Sequence, residues 1–234
     1  MRKHNTVENM HIRLDLMDTI VPITPRQEEA WKAWKEDQNH LALTGTAGTG
    51  KTFLAMYLAL EEVMDKSTPY ETLRIVRSVV PTREIGYLPG TLEEKLDAYT
   101  GTYRAAAYEL FNDPRAYDKL AHSSNRYVTF ESTSFIRGIT YDNSIILVDE
   151  MQNLNFHELD SIITRVGQAT KIIFSGDYHQ SDFKQNKERE GINTFLSIIE
   201  NMKNFTVVNF GWEDIVRSDF VRDYIMTKEW MGIK

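Results

Sequence analysis

The chain has 234 residues, 41% of them hydrophobic and 26% charged, which is the balance of a globular protein with one large domain or one domain with appendages. It has no cysteine, which excludes disulfides, thiol catalysis and Cys-ligated zinc. The formal net charge of −7 means that a nucleic-acid partner would have to meet a local basic surface. No apolar run approaches the roughly 18 residues of a membrane span, and the start Met1-Arg2-Lys3-His4-Asn5 lacks the apolar stretch of a signal peptide. A cytoplasmic protein with no membrane partner is the expectation.

Residues 1–24 are mixed in character and read as an extended N-terminal arm with one short strand near residues 12–16. A single domain is expected over residues 25–234. Thr24-Pro25 starts a helix, with Thr24 as cap and Pro25 in the first turn. Gln27 sits at that helix start. It is either a solvated helix residue or, some eighteen residues before the loop described next, an amide able to bond both the donor and the acceptor on an adenine edge.

The loop is Gly45-Thr46-Ala47-Gly48-Thr49-Gly50-Lys51-Thr52, a G-x-x-x-x-G-K-T pattern expected by chance in roughly 1% of chains of this length. Leu41-Ala42-Leu43 leads in as a buried strand, and the apolar run from Phe53 to Leu60 leaves as a helix. Strand, glycine loop and helix start form the context in which the pattern binds phosphate. The glycines let backbone N–H groups curl around an anion, and the helix adds its positive end. Lys51 supplies charge to the β- and γ-phosphates of a nucleotide, and the Thr52 hydroxyl a ligand for Mg²⁺.

Residues 73–80 alternate as a strand, and the turn-rich residues 81–90 follow. Residues 91–111 read as a helix stopped by Asp113-Pro114. Residues 127–131 are a further strand, and residues 135–140 a loop. Arg74, Arg77, Arg83 and Lys95 form the densest basic run, with Tyr87 and Tyr99 as stacking surface. These are either a single-strand nucleic-acid surface or solvated arginines and core tyrosines.

Ser144-Ile145-Ile146-Leu147-Val148-Asp149-Glu150 is a buried strand that delivers two acids to its C-terminal end, where open parallel sheets bind ligands. Asp149 would hold Mg²⁺, directly or through water, and Glu150 would act as general base toward an attacking water. A helix over residues 155–166 precedes a second strand-to-acid segment, residues 171–177. There Asp177 shapes the loop, assists at the metal or caps a turn, and Gln180 reaches the γ-phosphate or its water. A helix over residues 188–202, a strand over 205–210 and a closing helix over 213–230, with Arg217 near its first turn, complete the chain. Strand–helix alternation predicts an α/β fold, a three-layer RecA-like P-loop NTPase with a mostly parallel sheet and helices on both faces. Residues 73–80 separate the loop strand from the Asp149 strand in sequence, as in the P-loop branch with an inserted strand and a catalytic glutamate. Asn186-Lys187-Glu188-Arg189 begins like the guanine-reading N-K-x-D but has Arg in place of the carboxylate, which argues against GTP.

Taken together, the motifs resemble the PhoH family, ATPases akin to superfamily 1 helicase cores. The matching pieces are residues 45–52, Arg77 with Gly86-Tyr87-Leu88-Pro89-Gly90 and Glu93-Glu94-Lys95, and Phe135-Ile136-Arg137-Gly138. They continue with Asp149-Glu150-Met151-Gln152-Asn153, Gly176-Asp177-Tyr178-His179-Gln180 and Val216-Arg217. The chain departs where the family has a small residue in place of Met151 and a proline in place of Ser78, and over residues 81–85. The resemblance covers roughly residues 25–225. It implies a Mg²⁺-dependent ATPase core linked to RNA or single-stranded DNA. The roles carry over to Lys51, Thr52, Asp149, Glu150 and Gln180, with Gln27 as the adenine reader.

Helicases that act as monomers close the ATP site between two tandem cores, and the length here accommodates one. The expectation is therefore a homo-oligomer, a hexameric ring as in relatives, with Arg217 entering the neighbour's site. A surface role for Arg217 is the plain alternative, and Arg137 and Arg165 are the alternative arginine fingers. Three functions compete: a nucleic-acid-stimulated ATPase or helicase-like motor, a nucleotide-dependent interaction module or switch, and a small-molecule kinase. The kinase lacks an arginine-rich lid in the sequence.

Overall fold

The computed structural model describes residues 10–78, 99–133, 136, 138–177 and 186–232. Its centre is a sheet of six parallel strands in the order β3-β2-β4-β5-β1-β6. In chain order these are β1 (His40–Gly45), β2 (Thr72–Arg77), β3 (Val128–Ser132), β4 (Ser144–Val148), β5 (Lys171–Ser175) and β6 (Phe205–Phe210). The helices are α1 (Pro25–Lys35), α2 (Lys51–Met64), α3 (Gly101–Phe111), α4 (Ala116–Ala121), α5 (Phe156–Ile163), α6 (Asn186–Glu200) and α7 (Asp219–Trp230).

Side-chain alternation along the strands sorts the helices into layers. Leu41, Leu43, Ile145, Leu147 and Ile173 face one side, where they pack with Trp34, Leu58, Ala107 and Leu120 of α1 to α4. Ala42, Ile146, Val148, Ile172 and Phe174 face the other, against Leu159 of α5 and Phe195 and Ile199 of α6. β4 and β5 are buried along their whole length, the mark of central parallel strands covered on both faces. This is the expected three-layer α/β fold, with every described strand parallel.

Strand order fixes where a ligand can sit. From β1 the chain crosses through α2 to β2 on one side, and from β5 it crosses through α6 to β6 on the other. The two crossovers lie on opposite faces, so they leave a crevice at the C-terminal ends of β1 and β5. In sequence both β2 and β3 separate the loop strand from β4, whereas in space the intervening strand is β5.

Several boundaries differ from the expected ones. Residues 12–16 do not form a strand: Leu14–Leu16 is a 3₁₀ turn, with Leu16 N donating to Arg13 O and Met17 N to Leu14 O. Ile12 inserts into the core, and Asp18 N bonds Leu110 O of α3. The described part of the arm thus packs on the same core as the rest. The closing helix begins at Asp219, not at residue 213. Asp214 caps a 3₁₀ turn (Trp212–Asp214) by accepting from Gly211 N and also accepts from Arg26 N of α1, and Val216 N donates to Gly48 O. Those bonds hold the linker, including Arg217, outside the helix. Thr24 does cap α1, accepting from Gln27 N at 3.3 Å. Of the helix expected over residues 91–111, residues 91–98 lie outside the described residues.

At the N-terminal edge of the sheet, Lys171 is buried over the Trp34 ring, donating to Trp34 O at 2.8 Å and to Glu62 at 3.4 Å. His40 beside it accepts from Ile172 N. Burial and the Lys171 charge hold the His40 imidazole down at about 4. A histidine whose folded pKa lies below its unfolded value stays neutral while the unfolded chain takes up protons, so stability falls as pH drops from about 6.5 toward 4. The loss expected from this group between pH 7 and pH 5 is about 2 kcal/mol. Urea unfolding of the wild type and His40→Gln at both pH values checks it: the variant should show a visibly smaller loss on acidification.

Candidate functional site

Because all six strands are parallel, the residues that follow β1, β2, β4, β5 and β6 share one edge. That edge carries the loop of residues 45–52, Arg77, Asp149-Glu150 and Gly176-Asp177. A cleft of about 520 Å³ opens among them, lined by the loop, Asp149, Glu150, Gln152, Asp177 and Arg217. Such a volume suits a small-molecule ligand.

The loop is held open by conformations that favour glycine. Gly45, Gly48 and Gly50 have φ of +106°, +75° and +81°. At Gly45 a Cβ would collide with the Phe210 carbonyl oxygen, where the end of β1 presses on β6 and Thr46 N bonds that same oxygen. Gly50 caps α2, so the helix N-terminus and its orphan amides face the cleft. Lys51 is buried and donates to Gly45 O at 2.9 Å, Thr46 O at 2.6 Å and Thr49 Oγ1 at 3.3 Å. Burial lowers its pKa, while Asp177, Glu150, Asp149 and Glu229 pull the other way. Thr46 and Thr49 brace the turn, Thr49 Oγ1 donating to Thr46 O. Ala47 lines the cleft.

Asp149 is 2% exposed, and a carboxylate at that depth needs partners. It has two. Thr52 Oγ1 donates to Oδ1 at 2.9 Å, and the hydroxyl of Tyr103 on α3 donates to Oδ2 at 2.8 Å. Burial, reinforced by the neighbouring Asp149, pushes the Tyr103 hydroxyl well above its ordinary pKa, so it remains a donor. Glu150 is left-handed (φ 53°, ψ 43°), a conformation costly for a residue with Cβ and one that turns the chain sharply at the strand end. Its Oε2 accepts from Gln152 Nε2 at 2.5 Å, and Gln152 Oε1 accepts from Asp177 N at 3.0 Å. Gln152 therefore ties the Glu150 carboxylate to the end of β5. Burial first, then Asp149, raises the Glu150 pKa, opposed by Arg77, Gln152 and Lys51. Met151 is buried. It fits because Gly176 leaves room: a Cβ there would lie 2.6 Å from Met151 Cγ.

Gln27 is not a solvated helix residue. It is buried, its Oε1 accepts from Ile23 N at 2.9 Å, and its Nε2 donates to Thr49 O at 3.1 Å. It stands beside a recess of about 370 Å³ bounded also by Val21, Ile23, Phe53 and Arg217. Each amide atom keeps one bonding position beyond these contacts. Arg217 lies against the loop of its own chain. A Cβ at Gly48 would be 3.1 Å from Arg217 Cγ, and Val216 N bonds Gly48 O. Arg217 is exposed at the mouth of the cleft, beside its own loop. Behind the loop, Thr46 Oγ1 donates to Glu229 of α7 at 3.3 Å, and Trp212 Nε1 donates to the same oxygen.

The remaining expected residues divide. Arg74 is engaged within the chain: it bonds Glu131 at 2.9 Å and Ser144 at 3.1 Å and stacks on Tyr141. Arg77 ends β2 at the site edge, where its charge acts on Tyr103 and Glu150. Arg165 lies between α5 and the start of β5, at the opposite edge of the sheet, with Nε on Ser161 O. It is too distant to serve the cleft of its own chain. Gln180, Arg83, Lys95, Tyr87 and Arg137 lie outside the described residues. Sequence reasoning misses Tyr103 and the bridging role of Gln152. Gln152 stands two residues from Glu150, which is a usable signal. Tyr103 shares the helical spacing of Ala106, Ala107 and Leu110 and reads as core.

No helix among the described residues is long and apolar enough to cross a membrane. Gly45→Ala combines a positive φ with a backbone collision and should cost about 3 kcal/mol or more. Gly101→Ala, with nothing within 4 Å of the added Cβ at the start of α3, should be neutral or stabilise slightly. Denaturant midpoints of the two variants check the contrast.

The family model described as PhoH-like protein matches residues 19–228. A PhoH-like protein of Mycobacterium leprae is 32% identical over 182 residues, covering 77% of this chain and 50% of its own length. PhoH of Escherichia coli is 29% identical over 223 residues, covering 91% of this chain and 59% of its own. The chain spans about half the length of these curated relatives. Among solved structures, the large terminase of a thermophilic bacteriophage superposes with a TM-score of 0.50 at 14% identity, over 87% of this chain and 50% of the terminase, a likeness of fold. With its motif-bearing loop and the parallel sheet of its described residues, the chain has a P-loop α/β fold and belongs to the PhoH family.

Proposed function

We propose that this chain binds ATP with Mg²⁺ and hydrolyses it, and that RNA or single-stranded DNA stimulates the turnover. The observation that carries the ATPase reading is the hydrogen bond from Thr52 to Asp149, with Glu150 next in the chain and Lys51 in the same cleft. Two hard oxygen donors 2.9 Å apart beside a phosphate loop suit Mg²⁺, which takes one or two protein oxygens and fills its shell with phosphate and water. Bound there, the ion would neutralise charge on the β- and γ-phosphates.

The chain's own residues do the rest. The amides of Gly48 to Thr52 and the Lys51 ammonium hold the phosphates. Glu150, oriented by Gln152, takes a proton from the water that attacks the γ-phosphorus. The bond to the bridging oxygen breaks, and ADP and phosphate leave. Gln180 would contact the γ-phosphate or that water. Arg217 supplies charge from within the chain, so the ring expected from the sequence is not needed to provide it; a homo-oligomer stays part of the proposal on the family resemblance. Val21, Ile23 and Phe53 offer apolar faces to a base, whose edge would meet the remaining bonding positions of Gln27.

The nucleic-acid part rests on the family resemblance and on Arg83 and Lys95, since Arg74 is tied to Glu131. That same internal use of Arg74 favours the second reading, a nucleotide-dependent switch with little response to polymer. Phosphate release with and without RNA or single-stranded DNA, at low and high salt, separates them. Stimulation that fades with salt supports the motor, and unchanged turnover supports the switch.

Glu150→Gln should retain nucleotide affinity and lose about 100-fold or more in turnover. Because the Glu150 pKa is raised, falling pH protonates the base early, and the acid limb of the rate profile should lie above the ordinary carboxylate range. Mixing Arg217→Ala with Lys51→Ala protein tests the placement of the arginine. An arginine acting within its own chain gives no activity beyond the sum of the parts, and rescue would place it in trans.

A further inference from the structure

Tyr103 is fully buried on α3, and its ring packs on Phe130 with centroids 5.8 Å apart. Nothing in a helix core requires a hydroxyl there. Yet the hydroxyl ends 2.8 Å from Asp149 Oδ2, on the side of the carboxylate opposite the Thr52 contact. A carboxylate turns about its last bond unless both oxygens are engaged. Here both are, by donors from two separate elements, α2 and α3. α3 also forms one wall of the cleft, through Thr102, Ala105, Ala106 and Glu109.

The geometry points to Tyr103 as a positioning residue for the magnesium-binding carboxylate: it fixes the plane of Asp149 with Oδ1 toward Thr52 and couples that plane to the placement of α3. The inference rests on the reading of Thr52 and Asp149 as the magnesium site. Removing the donor frees Oδ2 to rotate and leaves a buried acceptor short of one bond. Partners that orient metal ligands in this way typically change metal affinity by roughly 10- to 100-fold when removed. The effect should fall on metal binding, because the partners of the tyrosine hydroxyl among the described residues are Asp149 and Arg77, neither of them part of the phosphate loop.

The test is Tyr103→Phe, which keeps the ring and its packing. ADP affinity is measured by titration calorimetry in EDTA and across a Mg²⁺ series, in the wild type, Tyr103→Phe, Asp149→Asn and the double variant. The expected result is unchanged affinity in EDTA, a roughly tenfold higher Mg²⁺ requirement in Tyr103→Phe, and no added effect in the Asp149→Asn background. For ATP turnover, kcat should fall at saturating nucleotide and subsaturating Mg²⁺ and recover at high Mg²⁺. An equal Mg²⁺ requirement in the wild type and Tyr103→Phe, or an undiminished effect in the Asp149→Asn background, overturns the inference. A wild type whose ADP affinity ignores Mg²⁺ overturns the magnesium-site reading itself. If Tyr103→Phe does not fold, amide exchange in residues 101–111 decides. Mg²⁺ added to the ADP complex should protect them in the wild type and not in Asp149→Asn, and equal protection in both contradicts the coupling.

Discussion

The hydrogen bond between Thr52 and Asp149 joins two residues 97 positions apart in sequence and two strands apart in the sheet. It can form only if β5 is slotted between β1 and β4, if all three strands point the same way, and if α2 starts at the foot of the cleft. Each condition follows from the pattern of burial. β4 and β5 are buried on both faces and must sit at the centre, while α2 and α5 cover opposite sides. The bond is thus a closing point: the sheet order, the loop and the acidic turn meet there.

Burying charge at that point is unfavourable unless every atom is partnered. The structure supplies the partners locally. Lys51 donates its protons to carbonyls of its own loop, Asp149 takes hydroxyls from two helices, and Glu150 takes the Gln152 amide. Gln152 in turn receives the Asp177 amide, so the acidic turn after β4 is tied to the end of β5. Glu150 carries backbone strain at its left-handed turn, as residues at reactive sites commonly do. Polar networks in which each member holds the next give a rigid, pre-set arrangement, which is what charge stabilisation during phosphoryl transfer requires.

What the sequence makes legible is what lies within a few residues of itself. The glycine loop with its strand and helix, the strand ending in Asp149-Glu150, the Thr24 cap and the layered α/β architecture all rest on local spacing. What stays hidden depends on the sheet order. Tyr103 is indistinguishable from a core aromatic until α3 is laid beside β4. Arg74 and Arg77 are three residues apart on one strand, an odd spacing that points them to opposite faces of the sheet, so Arg74 meets Tyr141 and Glu131 while Arg77, at the strand end, meets Tyr99, Tyr103 and the acids. Gln27 is ambiguous in sequence, and only its burial and its bond to Thr49 decide its place. The strand expected near residues 12–16 gives way to a 3₁₀ turn closed by its own backbone bonds. The position of Arg217 depends on a turn whose stop signal, Asp214 capping Gly211, reads in sequence as an ordinary acid in a helix.

The central claim is that Thr52 and Asp149 together hold a divalent ion against the phosphates of a bound nucleotide. Manganese titration followed by electron paramagnetic resonance, with and without ADP, addresses it most directly. The account predicts one tight, nucleotide-dependent Mn²⁺ site in the wild type, and its loss in both Thr52→Val and Asp149→Asn. Equal nucleotide-dependent Mn²⁺ binding in all three proteins would contradict it.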